Sequence, residues 1–168
     1  LDPKKIIARL DKVIKFELQS DSDQTNRDGM ELGICVIDLD TLKMDFAGVG
    51  IPLRLVKYGG EELSIFKTPR TMVGGIEGDE QEAFASLKKE TIQLDPKDRI
   101  YLSSDGFQDQ FGGPNDKKFL SRNFNKLLYE SSRLPIIELQ QKIQSTFSEW
   151  SKNTSQTDDL CVVGFEIK

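Results

Sequence analysis

Histidine is absent from the 168 residues. Its absence excludes Ser-His-Asp and Cys-His catalysis, His-ligated zinc and a His-based phosphorelay within this chain. A metal ion here must take oxygen ligands or the two cysteines. Cys35 and Cys161 each sit in an apolar run, Gly33 to Ile37 and Leu160 to Val163. Both read as buried strand thiols of a reducing compartment, not as a disulfide or a nucleophile. Basic charge is also short, with 23 Lys+Arg against 28 Asp+Glu, a net charge of −5 and a pI near 4.9. That balance argues against nucleic acid as a partner. No apolar run approaches the length of a bilayer span, and the first residues do not resemble a signal peptide. A cytoplasmic location is expected, compatible with a parent protein tethered to a membrane through an upstream region.

Apolar residues make up 37% of the chain, enough for one folded domain over residues 1–168 that buries roughly 70% of its unfolded surface. Asp2 and Pro3 suit an N-cap and a first helical position. Ile6, Ile7, Leu10, Val13, Ile14 and Leu18 then recur at helical spacing. Ser20 to Gly29 is polar and reads as a loop. Met30 to Leu39 and Lys43 to Val49 form one strand–turn–strand pattern, and Leu53 to Lys57 and Glu62 to Phe66 a second. Four strands in succession imply an antiparallel meander. Thr68 to Gln81 reads as a loop, Phe84 to Leu94 as an imperfect strand, and Arg99 to Ser104 as a strong one. Helical spacing returns in Phe119 to Leu128. It returns again after Pro135, where Ile136, Leu139, Ile143, Phe147 and Trp150 share a face expected to be core. Leu160 to Ile167 closes the chain as a strand. The class is α+β, with helices flanking mostly antiparallel strands.

Two carboxylate positions stand out. Asp105 ends an apolar strand and is followed by Gly106, so the chain turns tightly where the carboxylate emerges. Asp158 and Asp159 open another apolar strand. If the two strands are antiparallel neighbours, their carboxylates converge into a site for a hard divalent cation. The plainer alternative stays open, since Asp-Gly is a common turn and Asp often precedes a strand. Arg54 and Arg70 read as surface cations, and Gly74-Gly75 and Gly112-Gly113 as flexible loops without the Lys-Ser of a P-loop.

Ile100 to Phe107, running into Asp109-Gln110-Phe111-Gly112-Gly113, resembles the metal-dependent protein phosphatase superfamily. The likeness is to the bacterial branch typified by stage II sporulation protein E. Three segments agree in order: Asp28-Gly29-Met30 with Gly33 to Asp38; Phe46-Ala47-Gly48 with Pro52-Leu53; and Asp158 to Val163. The resemblance implies a β-sandwich of mostly antiparallel strands with flanking helices, and hydrolysis of phosphoserine or phosphothreonine. It implies two Mn²⁺ or Mg²⁺ ions that activate a bridging water, with Asp105 and Asp158 as ligands and no separate catalytic residue. Asp159 and Gly106 would support those ligands. Such chemistry requires no histidine nucleophile.

The family's amino-terminal Gly-Asp strand, its Gly-His-Gly turn and its first helix have no counterpart in this sequence. The helix from Pro3 resembles the family's second helix. The chain, which begins at Leu1 without an initiator methionine, is therefore expected to be an amino-terminally truncated domain, inactive or weakly active alone. By the same resemblance the parent would carry an upstream sensor domain and act on a phosphorylated regulator such as an anti-sigma-factor antagonist. Missing strands would leave apolar surface and open edges suited to a homodimer. The competing reading is a non-catalytic interaction module on the same scaffold.

Overall fold

The computed structural model describes residues 1–19, 29–74 and 86–168. The chain divides into two compact units, one of residues Leu1–Leu53 with Ile65–Asp95, the other of Arg54–Ser64 with Pro96–Lys168. Ser20–Asp28 of the expected Ser20–Gly29 loop, and Gly75 and Phe84, lie outside the described residues.

In the first unit, α1 (Pro3–Gln19) starts as its sequence suggests. Asp2 Oδ1 accepts the backbone N–H groups of Lys4 at 3.0 Å and Lys5 at 3.3 Å, satisfying two of the donors that a helix start leaves free. α1 packs on β1 (Leu32–Asp38) and β2 (Lys43–Val49), which pair antiparallel from Leu32↔Val49 to Asp38↔Lys43. Ile7 is buried with Ala47, Val49, Val73 and Leu87, flanked by Leu10, Ile14, Leu32 and Ile34. Val13, read from periodicity as part of the buried stripe, is half exposed. The β1–β2 turn is held by Asp38, whose Oδ1 accepts the backbone N–H groups of Asp40 and Thr41, each at 3.0 Å. Those two bonds hold its carboxyl below the usual carboxylate range.

The meander is not formed as expected. The other edge of β2 is taken by β5 (Glu90–Gln93), in register Lys43↔Gln93 to Phe46↔Glu90, giving a three-stranded sheet β1-β2-β5. β3 (Leu53–Val56) and β4 (Leu63–Phe66) belong to a four-stranded sheet of order β4-β3-β6-β9, with β6 (Arg99–Ser103) and β9 (Val162–Glu166). The expected strand over Phe84–Leu94 shrinks, among described residues, to the four of β5, and Leu87 serves as a core residue ahead of it.

The second unit is built on β6, four of whose five residues are buried. It is followed by the four-residue α2 (Gly106–Asp109), the β7 (Phe111–Gly112)–β8 (Lys117–Lys118) pair, α3 (Ser121–Glu130) and α4 (Ile136–Trp150). Phe107 is the hub of the core. Its ring meets Phe119 edge-on at 5.0 Å, Phe124 at 4.7 Å and Phe147 at 5.2 Å between centroids, within the range in which aromatic pairs attract. Val56, Tyr101, Leu127, Leu128 and Leu139 complete the cluster. On α4, Ile143, Phe147 and Trp150 lie against this core as expected, but Ile136 is 43% exposed because it sits in the first turn.

Arg54 is no surface cation. It is 2% exposed, its Nε donates to Asn125 Oδ1 at 2.7 Å and its Nη1 to Ser103 Oγ at 3.1 Å, and it lies over the Phe124 ring. Burial pulls its pKa down. Arg70 is exposed. Cys35 is partly buried, and burial pushes its thiol up to about 11. Cys161, expected inside, is exposed; it precedes β9, an edge strand whose Val163 and Gly164 are exposed as well. Both thiols are free. No helix among the described residues is long and apolar enough to cross a membrane.

Candidate metal centre

The β6–β9 pairing is antiparallel, from Arg99↔Glu166 to Ser103↔Val162. The end of β6 therefore lies beside the start of β9, the condition on which convergence of Asp105 with Asp158 depends. The ladder continues past the strand ends. Ser104 N–H donates to Cys161 O at 3.0 Å, Ser104 Oγ donates to Asp159 O at 2.9 Å, and Cys161 N–H donates to Ser104 Oγ at 3.0 Å. One hydroxyl thus fastens the segment that carries Asp158 and Asp159 to the residue before Asp105.

Gly106 brings the two segments closer. A methyl group built on it would fall on the Asp159 carbonyl oxygen, with the Asp159 carbonyl carbon at 2.9 Å and the Asp158 oxygen at 3.3 Å. Only a residue without Cβ lets the backbones meet there. Asp105 is the N-cap residue of α2, yet its side chain makes no capping hydrogen bond. Its carboxylate is exposed, as are those of Asp158 and Asp159. Asp158 Oδ1 accepts the Asp159 N–H at 2.7 Å, and the Asp158 carbonyl accepts from Gln156 Nε2 at 2.8 Å.

The donor chemistry fits a hard divalent cation: exposed carboxylates, that of Asp105 without a capping bond and that of Asp158 with one oxygen engaged by the Asp159 N–H, on two segments held together by backbone contact. Among the described residues, no group of three or more His, Cys, Asp or Glu forms a metal-binding cluster.

Gly112-Gly113, expected to be a flexible loop, is instead tightly held. Gly112 and Gly113 pass beneath Trp150: a Cβ on Gly112 would strike the Trp150 carbonyl oxygen, and one on Gly113 would lie 2.6 Å from the indole ring. Gly113 N–H donates to Trp150 O at 2.9 Å, and Trp150 Nε1 donates to Gln110 O at 3.0 Å. Gln110, which the sequence marks only as part of the family-like Asp109 to Gly113 stretch and to which it gives no role, is fully buried. Nothing in the local pattern marks its burial, since no hydrophobic period runs through this stretch.

All of residues 1–168 match the family model of stage II sporulation protein E (SpoIIE). The chain belongs to the SpoIIE family. Among solved structures, the SiaA-PP2C domain of Pseudomonas aeruginosa is similar at TM-score 0.83 and 28% identity, over 99% of this chain and 61% of that one. The SpoIIE phosphatase domain of Bacillus subtilis, presoaked with Mn, matches at TM-score 0.58 and 18% identity over 99% and 66% of the two chains. The RsbU and RsbW domains of a Mycobacterium tuberculosis protein match at 0.67 and 16% over 96% and 41%. The last two likenesses concern the fold alone. Comparison with curated proteins finds no match. The fold is therefore the mixed helix and antiparallel-sheet architecture of PP2C-type phosphatase domains, and the SpoIIE-family chain spans less than two thirds of the length of these relatives.

Proposed function

We propose that this chain carries part of a Mn²⁺- or Mg²⁺-dependent phosphatase that hydrolyses phosphoserine or phosphothreonine on a partner protein. The observation that carries the reading is the closure of the Asp105-Gly106 turn onto the Asp158-Asp159 backbone in a SpoIIE-family chain. Asp105 and Asp158 would hold the cation. Gly106 allows the two segments to touch, and Asp159 fixes the second one through its carbonyl, which accepts from Ser104. Exposure of all three carboxylates leaves the site open to a side chain of another protein. When bound, a divalent cation supplies Lewis acidity toward a phosphoryl oxygen and lowers the pKa of water.

From the family resemblance we take the partner to be a phosphorylated regulator of the anti-sigma-factor-antagonist type and the reaction to be cytoplasmic. Because Mg²⁺ and Mn²⁺ sites take about six oxygens, the 168-residue chain alone is expected to turn over phosphate esters weakly. The parent protein is expected to release phosphate from a phosphoserine peptide in Mn²⁺. Asp105→Asn and Asp158→Asn should each lower that rate by about a hundredfold or more, with the fold retained. Turnover that neither variant reduces would overturn the assignment.

A further inference from the structure

We propose that Gln110 is a positioning residue that locks Asp158 in place beside Asp105; its consequence for a cation rests on the metal reading above. The side chain is fully buried and uses both ends. Its Nε2 donates to Phe111 O at 2.9 Å, to Ser155 O at 2.9 Å and, more loosely, to Thr154 Oγ1 at 3.3 Å. Its Oε1 accepts the N–H of Thr157, the residue before Asp158, at 3.0 Å. Thr154 Oγ1 donates in turn to Phe111 O at 2.7 Å.

These bonds close a circuit. From Asp105 the chain runs through α2 to Gln110; from Gln110 two hydrogen bonds cross to Ser155 and Thr157; and from Asp159 the Ser104 hydroxyl leads back to the residue before Asp105. Asp158 is thus pinned on both sides, by Gln110 through the residue before it and by Ser104 through the residue after it. The connection after α4 has no regular structure of its own, so its path depends on such bonds. Only an amide serves. It offers two donors to carbonyl oxygens and an acceptor to an N–H, whereas a glutamate would turn an oxygen toward the Phe111 and Ser155 carbonyls and a methionine would leave buried groups on both sides unpaired.

The test is Gln110→Met in the 168-residue chain, with Thr154→Val as a milder second variant should the first fail to fold. Leu127→Ala is the control, since it weakens the core of the same unit without touching the circuit. Two quantities are read: hydrogen exchange at the Thr157 N–H, and the Mn²⁺ concentration at which the Asp158 and Asp159 amide resonances broaden to half intensity. Gln110→Met should speed exchange at Thr157 by about tenfold and raise the Mn²⁺ requirement by about tenfold or more, the range typical of residues that orient metal ligands. Thr154→Val should move both less, and Leu127→Ala should lower the thermal midpoint while moving neither. The inference is overturned if exchange is unchanged, if exchange rises while the Mn²⁺ requirement stays at the wild-type value, or if Leu127→Ala has the same effect. Faster exchange in the variant, with no broadening by Mn²⁺ even in the wild type, would instead sink the metal reading and leave the lock itself standing.

Discussion

At Gly106 the molecule leaves no room for a side chain, since even a methyl group would collide with the Asp159 carbonyl. Gly106→Ala should therefore cost about 1–3 kcal/mol by overpacking, and the displaced backbone should shift the amide resonances of Asp158 and Asp159. Thermal denaturation and a two-dimensional amide spectrum check both; an alanine variant with wild-type stability and spectrum would contradict the close contact. The placement of Asp105 and Asp158 near one end of a strand pair was legible in the sequence because each flanks an apolar strand. The burial of Gln110 and Arg54 was not, because a polar residue looks the same in a sequence whether water or the protein satisfies it. Burial of Gln110 depends on the Ser155 and Thr157 backbone, 45 and 47 positions away, and that of Arg54 on Asn125 and Ser103.

Among elements, the antiparallel β6–β9 pair aligns the two acidic segments, and its ladder is extended by Ser104. Both strands could be read from apolar runs, but their pairing joins residues more than fifty positions apart, which local pattern does not encode. The same limit explains the divided meander: hydrophobic runs mark β1 to β4 as strands without saying that β2 will be bordered by β5 and β3 by β6. α2 and the β7–β8 pair are too short to show any period. The β1–β2 turn offers a pH test. Asp38, held below its ordinary value of 3.8 by the Asp40 and Thr41 amides, favours the turn when ionised. Its contribution is complete above the unfolded carboxylate range and is lost as the pH falls through its lower folded value. Asp38→Asn should remove that acid-limb change in the Asp40 and Thr41 amide shifts, whereas an unchanged acid limb in the variant would assign it to another group.

For the whole molecule, the chain divides into two compact units and spans 61% of the SiaA-PP2C domain it matches. Its described residues hold no group of three or more acidic, cysteine or histidine side chains suited to a metal, so any cation they bind alone should be held weakly. Paramagnetic broadening suits weak sites, and a titration of the isotope-labelled chain with Mn²⁺ tests most directly whether Asp105 and Asp158 share one cation. The expected result is that the amides of Asp105, Gly106, Asp158 and Asp159 broaden together over the same Mn²⁺ range, and that Asp105→Asn abolishes the effect at both segments. Broadening confined to one segment, or surviving at Asp158 in Asp105→Asn, would contradict a shared site.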